Sequence, residues 1–159
     1  MFRRYRRMLA RTGVALGLAL ASVTYVASPA SAHNLSEIVA AEKGCGWSNG
    51  SYTVLDWADI WDTRNNMPLA TGYLLWNGQY QENCVVTQRV GRAHGVTDYT
   101  EAVLERQGLD PVSDSGQYAH YAAVSARAPG RCVRWWSYVH SLYGGGIWGT
   151  GRSAWGNCG

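Results

Sequence analysis

At 159 residues, the chain has room for one packed domain behind an export leader, and 47% of its side chains are hydrophobic against 16% charged. Five of the 14 Lys and Arg residues (Arg3, Arg4, Arg6, Arg7 and Arg11) precede the first acid, Glu37, so the formal charge of +3 misleads. Past the leader, nine basic side chains face 11 acidic ones, a net of −2 with His neutral, which leaves no basic stripe for phosphate and argues against nucleic-acid binding.

The leader is read from residues 1–32. Arginines precede an apolar run, Val14 to Val23, that suits a signal-peptide core and is too short to span a membrane. Ala30-Ser31-Ala32 supplies the small-x-small pattern of a cleavage site, so a mature chain is expected to begin at His33. The paired arginines Arg3-Arg4 and Arg6-Arg7 admit twin-arginine export, but the rest of that motif is poor and ordinary secretion fits better. No membrane span is expected after cleavage.

Residues 33–44 form an extension with a short helix, capped by Asn34 or Ser36, striped by Leu35, Ile38 and Val39, and stopped by Gly44. Residues 45–159 read as one β-rich domain. From Tyr52 the period is two, with Tyr52, Val54 and Asp56 on one side and Thr53, Leu55 and Trp57 on the other. The stretch DWADIWDTRNNMP is read as a loop carrying Trp57 and Trp61. Leu69 to Trp76 and Asn83 to Val90 form a hairpin across Asn77-Gly78, with Tyr80 in its loop. Gly91 to Thr97 is a loop. TEAVLERQ, residues 100–107, satisfies both a capped helix and an alternating strand. Gly108 to Ser115 is a turn region. Tyr118 to Val139 reads as a two-stranded ribbon about Pro129-Gly130, with Val133 and Trp135 in the core and Trp136 and Tyr138 on the opposite face. A short strand near Ser153–Asn157 follows Gly144-Gly145-Gly146. The sum is an all-β fold: a small disulfide-bonded β-sandwich or barrel of seven to eight short strands.

Four cysteines, Cys45, Cys84, Cys132 and Cys158, suit two disulfides in an exported chain, and three pairings are open. Cys45–Cys84 with Cys132–Cys158 is favoured because each bridge then ties a chain end to an internal strand. Their wide spacing lacks the close pairs of a metal site.

The context of these cysteines resembles that of the small secreted actinobacterial proteins of the spore-associated protein A type. The resemblance rests on Cys45-Gly46 with Tyr52 and Val54, Asn83-Cys84-Val85-Val86-Thr87, Ser113-Asp114-Ser115-Gly116 with Tyr118, Tyr121-Ala122, Cys132-Val133-Arg134-Trp135 and Cys158-Gly159. It covers nearly everything after Gly44. Three departures stand out: a single Ala123 where relatives carry Gly-Pro, an insertion at Trp47–Ser51, and Trp136 in place of Gly. The resemblance implies a secreted all-β protein of the spore or cell surface without enzymatic activity, and it tips residues 100–107 toward a strand.

Catalytic patterns are weak. Asp56, Asp59 and Asp62 at spacings of three do not make an EF-hand and read as solvated turn acids. Glu101 and Glu105 on a strand would stand roughly 13 Å apart, beyond a glycosidase pair. His33, His94, His120 and His140 lack metal-ligand spacing, although His120 and His140 are expected to approach each other on the ribbon. No Gly-x-Ser-x-Gly elbow is present. No catalytic residue, metal or cofactor is therefore expected. The aromatics are the anomaly: eight tryptophans and one phenylalanine in the whole chain. Trp136, Tyr138, Trp57, Trp61 and Tyr80 are the candidate ligand-binding residues, since exposed Trp and Tyr stack on sugars or anchor interfaces. The expected partner is a polysaccharide or protein of the cell wall or spore surface.

Overall fold

The computed structural model describes residues 33–158, so the expected leader and its cleavage site lie outside the described residues. No helix among the described residues is long and apolar enough to cross a membrane. The chain runs α1 (Leu35–Ala40), β1 (Thr53–Asp62), β2 (Met67–Asn77), β3 (Glu82–Arg89), a single 3₁₀ turn at Gly91–Ala93, β4 (Asp98–Arg106), β5 (Val112–Tyr118), β6 (Tyr121–Arg127), β7 (Val133–His140) and β8 (Ile147–Gly156). The strands form two four-stranded antiparallel sheets, ordered β1-β2-β3-β6 and β5-β4-β7-β8. The fold is a sandwich, not a closed barrel.

The main core lies between the sheets. Leu74, Val85 and Ala122 of the first sheet meet Ala102, Leu104, Val133 and Trp135 of the second. Ile60, Leu69, Ala70, Ala93 and Val139 close one end. Strand β3 is buried on both faces, because α1 and the segment after it cover its outer side. Asn34 caps α1 through a capping box with Glu37, and Ile38 and Val39 dock on Trp47, Leu75, Cys84 and Val86. A six-residue helix is marginal alone, so this docking is what holds it. The disulfides join Cys45 to Cys84 and Cys132 to Cys158, the favoured pairing. The first fastens the helical cover to β3, and the second fastens the end of β8 to the start of β7.

Several expectations are corrected. Of the stretch read as a loop with two tryptophans, Asp56 to Asp62 belong to strand β1, residues 63–66 are a turn, and Met67 and Pro68 already open β2. Its aspartates are tolerated because they have partners: Asp56 accepts from Trp135 Nε1 at 3.1 Å, and Asp62 accepts from Ser141 Oγ at 2.6 Å. An irregularity in the pairing between Val54 and Asp56 shifts the alternation, so that Asp56 faces inward while Trp57 is exposed. The Tyr118–Val139 ribbon is not a hairpin. β6 pairs with β3, and β7 pairs with β4 and β8 in the other sheet. The Pro129-Gly130 turn is present, with Gly130 at φ +64° and Arg131 N–H donating to Ala128 O at 3.2 Å. A turn with Pro first and positive-φ Gly second splays its flanking strands instead of matching hairpin twist, so it carries the chain across the sandwich. Residues 100–107 fall almost wholly in β4, a strand. Ser113 to Ser115 belong to β5, not to a turn, and the last strand begins at Ile147, well before Ser153.

Candidate functional site

The outer face of the second sheet carries Trp136 and Tyr138 from β7, Tyr99, Glu101 and Glu105 from β4, and Trp155 from β8. Strand alternation sets this face, because Trp135, Ser137 and Val139 point inward. Glycines shape it. A Cβ on Gly149 would stand 2.4 Å from Tyr138 Cδ1, and one on Gly151 would stand 2.8 Å from Trp136 Cε3. The two half-buried rings thus lie against the glycine backbone of β8, in the manner of aromatic cover over strand glycines. Arg134 stacks on Trp155 with its guanidinium carbon 4.5 Å from the ring centre.

Carboxylates are fixed beside the rings. Glu105 accepts from Arg134 Nε at 2.8 Å, from Arg134 Nη2 at 2.6 Å and from Trp136 Nε1 at 2.9 Å. The hydrogen bond from Arg134 holds the Glu105 carboxyl below its usual pKa against the opposing pull of burial. Tyr99 donates to Glu101 at 2.6 Å, and that bond pushes the phenol up to about 12. The face therefore offers carboxylates as acceptors, phenols whose protons are held and flat apolar rings. This combination suits a ligand with CH faces and hydroxyl edges.

The five candidate aromatics do not converge. Trp136 and Tyr138 stand on this face. Trp57 and Trp61 stand on β1 of the other sheet, 57% and 45% exposed. There Trp57 lies beside Tyr73 in a shallow depression with Val54, Asp59 and Thr71. Tyr80 packs against the helical cover and shares a 3.1 Å hydrogen bond with Ser48. Trp155, Arg134, Glu101 and Glu105 were not among the candidate ligand-binding residues, and the alternating glycines of β8 opposite Trp136 and Tyr138 were the available signal.

The acids read as a possible pair or cluster are also dispersed. Asp56 lies between the sheets beside Arg152 at 3.3 Å, Asp59 accepts from Thr71 at 2.7 Å on the outside, and Asp62 is buried under a turn. Nor do His120 and His140 meet. His140 pairs with Asp98 at 3.1 Å, whereas His120 Nδ1 lies 3.1 Å from His94 Nε2, with His33 beside both. Burial, followed by the neighbouring imidazoles of His120 and His33, lowers the pKa of His94. His33 and His120 border a groove of about 690 Å³ that also takes in Glu42, Lys43, Asp114, Tyr118 and Tyr121. Asp114 is committed there to Tyr118 and to the N–H of Ala123. Among the described residues, no group of three or more His, Cys, Asp or Glu side chains, as the side chains are placed, could hold a metal ion.

Fold and site together define a disulfide-stapled antiparallel β-sandwich with an aromatic and carboxylate face on one sheet and an imidazole cluster at the edge of the other. Comparison with family models, curated proteins and solved structures finds no match for this chain.

Proposed function

We propose that the protein is a secreted, non-enzymatic interaction component of the cell or spore surface, of the spore-associated protein A type. The export leader and the two disulfides support the compartment. The flat array of Trp136, Tyr138 and Trp155 beside Glu101 and Glu105 carries the interaction reading, because it offers recognition groups on a rigid sheet. Fractionation of the producing cells tests the compartment: the protein belongs in the wall or spore-coat fraction or the medium, and recovery solely from the cytoplasm would refute it.

The same array favours a second, more specific reading, a carbohydrate-binding face. Rings held against a glycine strand present stacking surfaces, and fixed carboxylates accept from hydroxyls. Retention of the purified protein on insoluble chitin, cellulose and peptidoglycan tests it. Retention on one of the three supports the reading, and passage through all three removes it in favour of a protein partner.

A further inference from the structure

We propose that the imidazoles of His33, His94 and His120 form a binding site for one divalent transition-metal ion of the imidazole-preferring kind, Cu²⁺ most tightly and Zn²⁺ next. The three come from separate segments: the residue before the α1 cap, the end of the 3₁₀ turn, and the link from β5 to β6. The fold brings them together at the end of β3.

Two members are fixed by backbone. The Arg89 N–H donates to His120 O at 2.8 Å, and the Gly95 N–H donates to Ala119 O at 2.7 Å, so the segments bearing His94 and His120 are tied to each other. Arg89 also braces the His94 turn, its buried Nε donating to Ala93 O at 3.0 Å. The result is His94 Nε2 and His120 Nδ1 only 3.1 Å apart. Two nitrogens bound at about 2.0–2.1 Å to one tetrahedral ion stand about 3.3 Å apart, close to the separation already present.

The third member sits where a ligand ring would. Rings on a shared tetrahedral ion have centres about 5 Å apart, and the His33 ring centre lies 4.8 Å from that of His120 and 6.2 Å from that of His94. Its carbonyl accepts from the Gln88 side chain, which anchors the backbone while the half-exposed ring stays free to turn. Closing the set requires that rotation. Imidazole ligands select Cu²⁺ and Zn²⁺ over Ca²⁺ or Mg²⁺, and Cu²⁺ binds above Zn²⁺.

The test uses the untagged, disulfide-bonded protein secreted from the full sequence, stripped with chelator and titrated calorimetrically with Cu²⁺, Zn²⁺ and Ca²⁺. One Cu²⁺ per chain is expected, with weaker Zn²⁺ binding, no Ca²⁺ binding, and nitrogen hyperfine structure in the Cu²⁺ resonance spectrum. His94→Gln and His120→Gln, whose amides keep hydrogen-bonding capacity, should each weaken Cu²⁺ binding at least about tenfold. His33→Ala should weaken it similarly, while His140→Ala leaves it unchanged. Metal-free thermal midpoints confirm that each variant is folded, and Ala versions replace any Gln variant that is not. Absence of saturable one-to-one Cu²⁺ binding overturns the proposal. So does binding that survives both the His94 and His120 substitutions, which would place the ion on the chain terminus or a lone surface imidazole.

Discussion

The indole N–H of Trp136 on β7 donates to Glu105 on β4 at 2.9 Å, and the Arg134 guanidinium grips the same carboxylate. One acid thus orients a stacking ring and neutralises its neighbour. Glu105→Ala removes both at once and leaves two donors searching for water. The pair is partly exposed, 33% for Arg134 and 18% for Glu105, so solvent screens it and the expected loss is only about 1 kcal/mol. Chemical denaturation of the variant checks this. A loss above about 3 kcal/mol would mean the carboxylate supports the core and not merely the face.

Asp62 sets an acid limit to stability. Its carboxyl accepts from Ser141, from the Asn65 side chain and from two backbone N–H groups, and the pKa falls from 3.8 to about 2, the Ser141 bond being the largest cause. A lowered folded-state pKa means that this stabilisation is present above about pH 4 and is lost as pH falls through 2. Asp62→Asn should therefore melt below the wild type at pH 6, with the gap narrowing between pH 4 and 2. Thermal melts across that range provide the check, and a gap independent of pH would contradict the assignment.

The bridge at the chain end holds down a strand rich in glycine. Cys132→Ser should leave Cys158 as a free thiol and lower stability by about 3–4 kcal/mol, if the bridge acts by constraining the unfolded chain. Thiol titration of the variant should find one reactive cysteine, Cys158. Reactivity at Cys45 or Cys84 instead would show that the pairing differs.

Gly149 gives a test of ring placement. A Cβ there would overlap the Tyr138 ring, so Gly149→Ala should turn that ring off the β8 backbone at a cost of about 1–3 kcal/mol from overpacking. Tyr138 ring resonances should move while those of Trp135, buried on the other face, stay put. Unchanged Tyr138 signals would place the ring elsewhere.

Much of this architecture could be read from residue order, and the failures have physical causes. The Asn77-Gly78 turn signal between two apolar runs found the β2–β3 hairpin, and a capping residue with an apolar stripe found α1. The tying of chain ends to internal strands picked the right disulfides. The start of β1 was read from its period of two, but its continuation to Asp62 was missed because three aspartates and two tryptophans argue for a loop locally, and only cross-sheet partners such as Trp135 and Ser141 make them acceptable in a strand. The ribbon at Pro129-Gly130 was misread by taking proximity in sequence for pairing, although the turn chemistry itself disfavours a hairpin. The candidate aromatics were chosen by type, and whether they share a face depends on which sheet each strand joins. His33, His94 and His120 meet only through three connections that no local spacing encodes.

The most direct test of the binding face compares two double variants on whichever polysaccharide retains the wild type. Trp136→Ala/Tyr138→Ala strips the face of the second sheet, and Trp57→Ala/Trp61→Ala strips the exposed tryptophans of the first. The account predicts that the first pair loses retention at least about fivefold, as loss of stacking worth about 1–3 kcal/mol requires, while the second keeps it. Retention unaffected by the first pair and abolished by the second would place the binding surface on the opposite sheet and contradict the account.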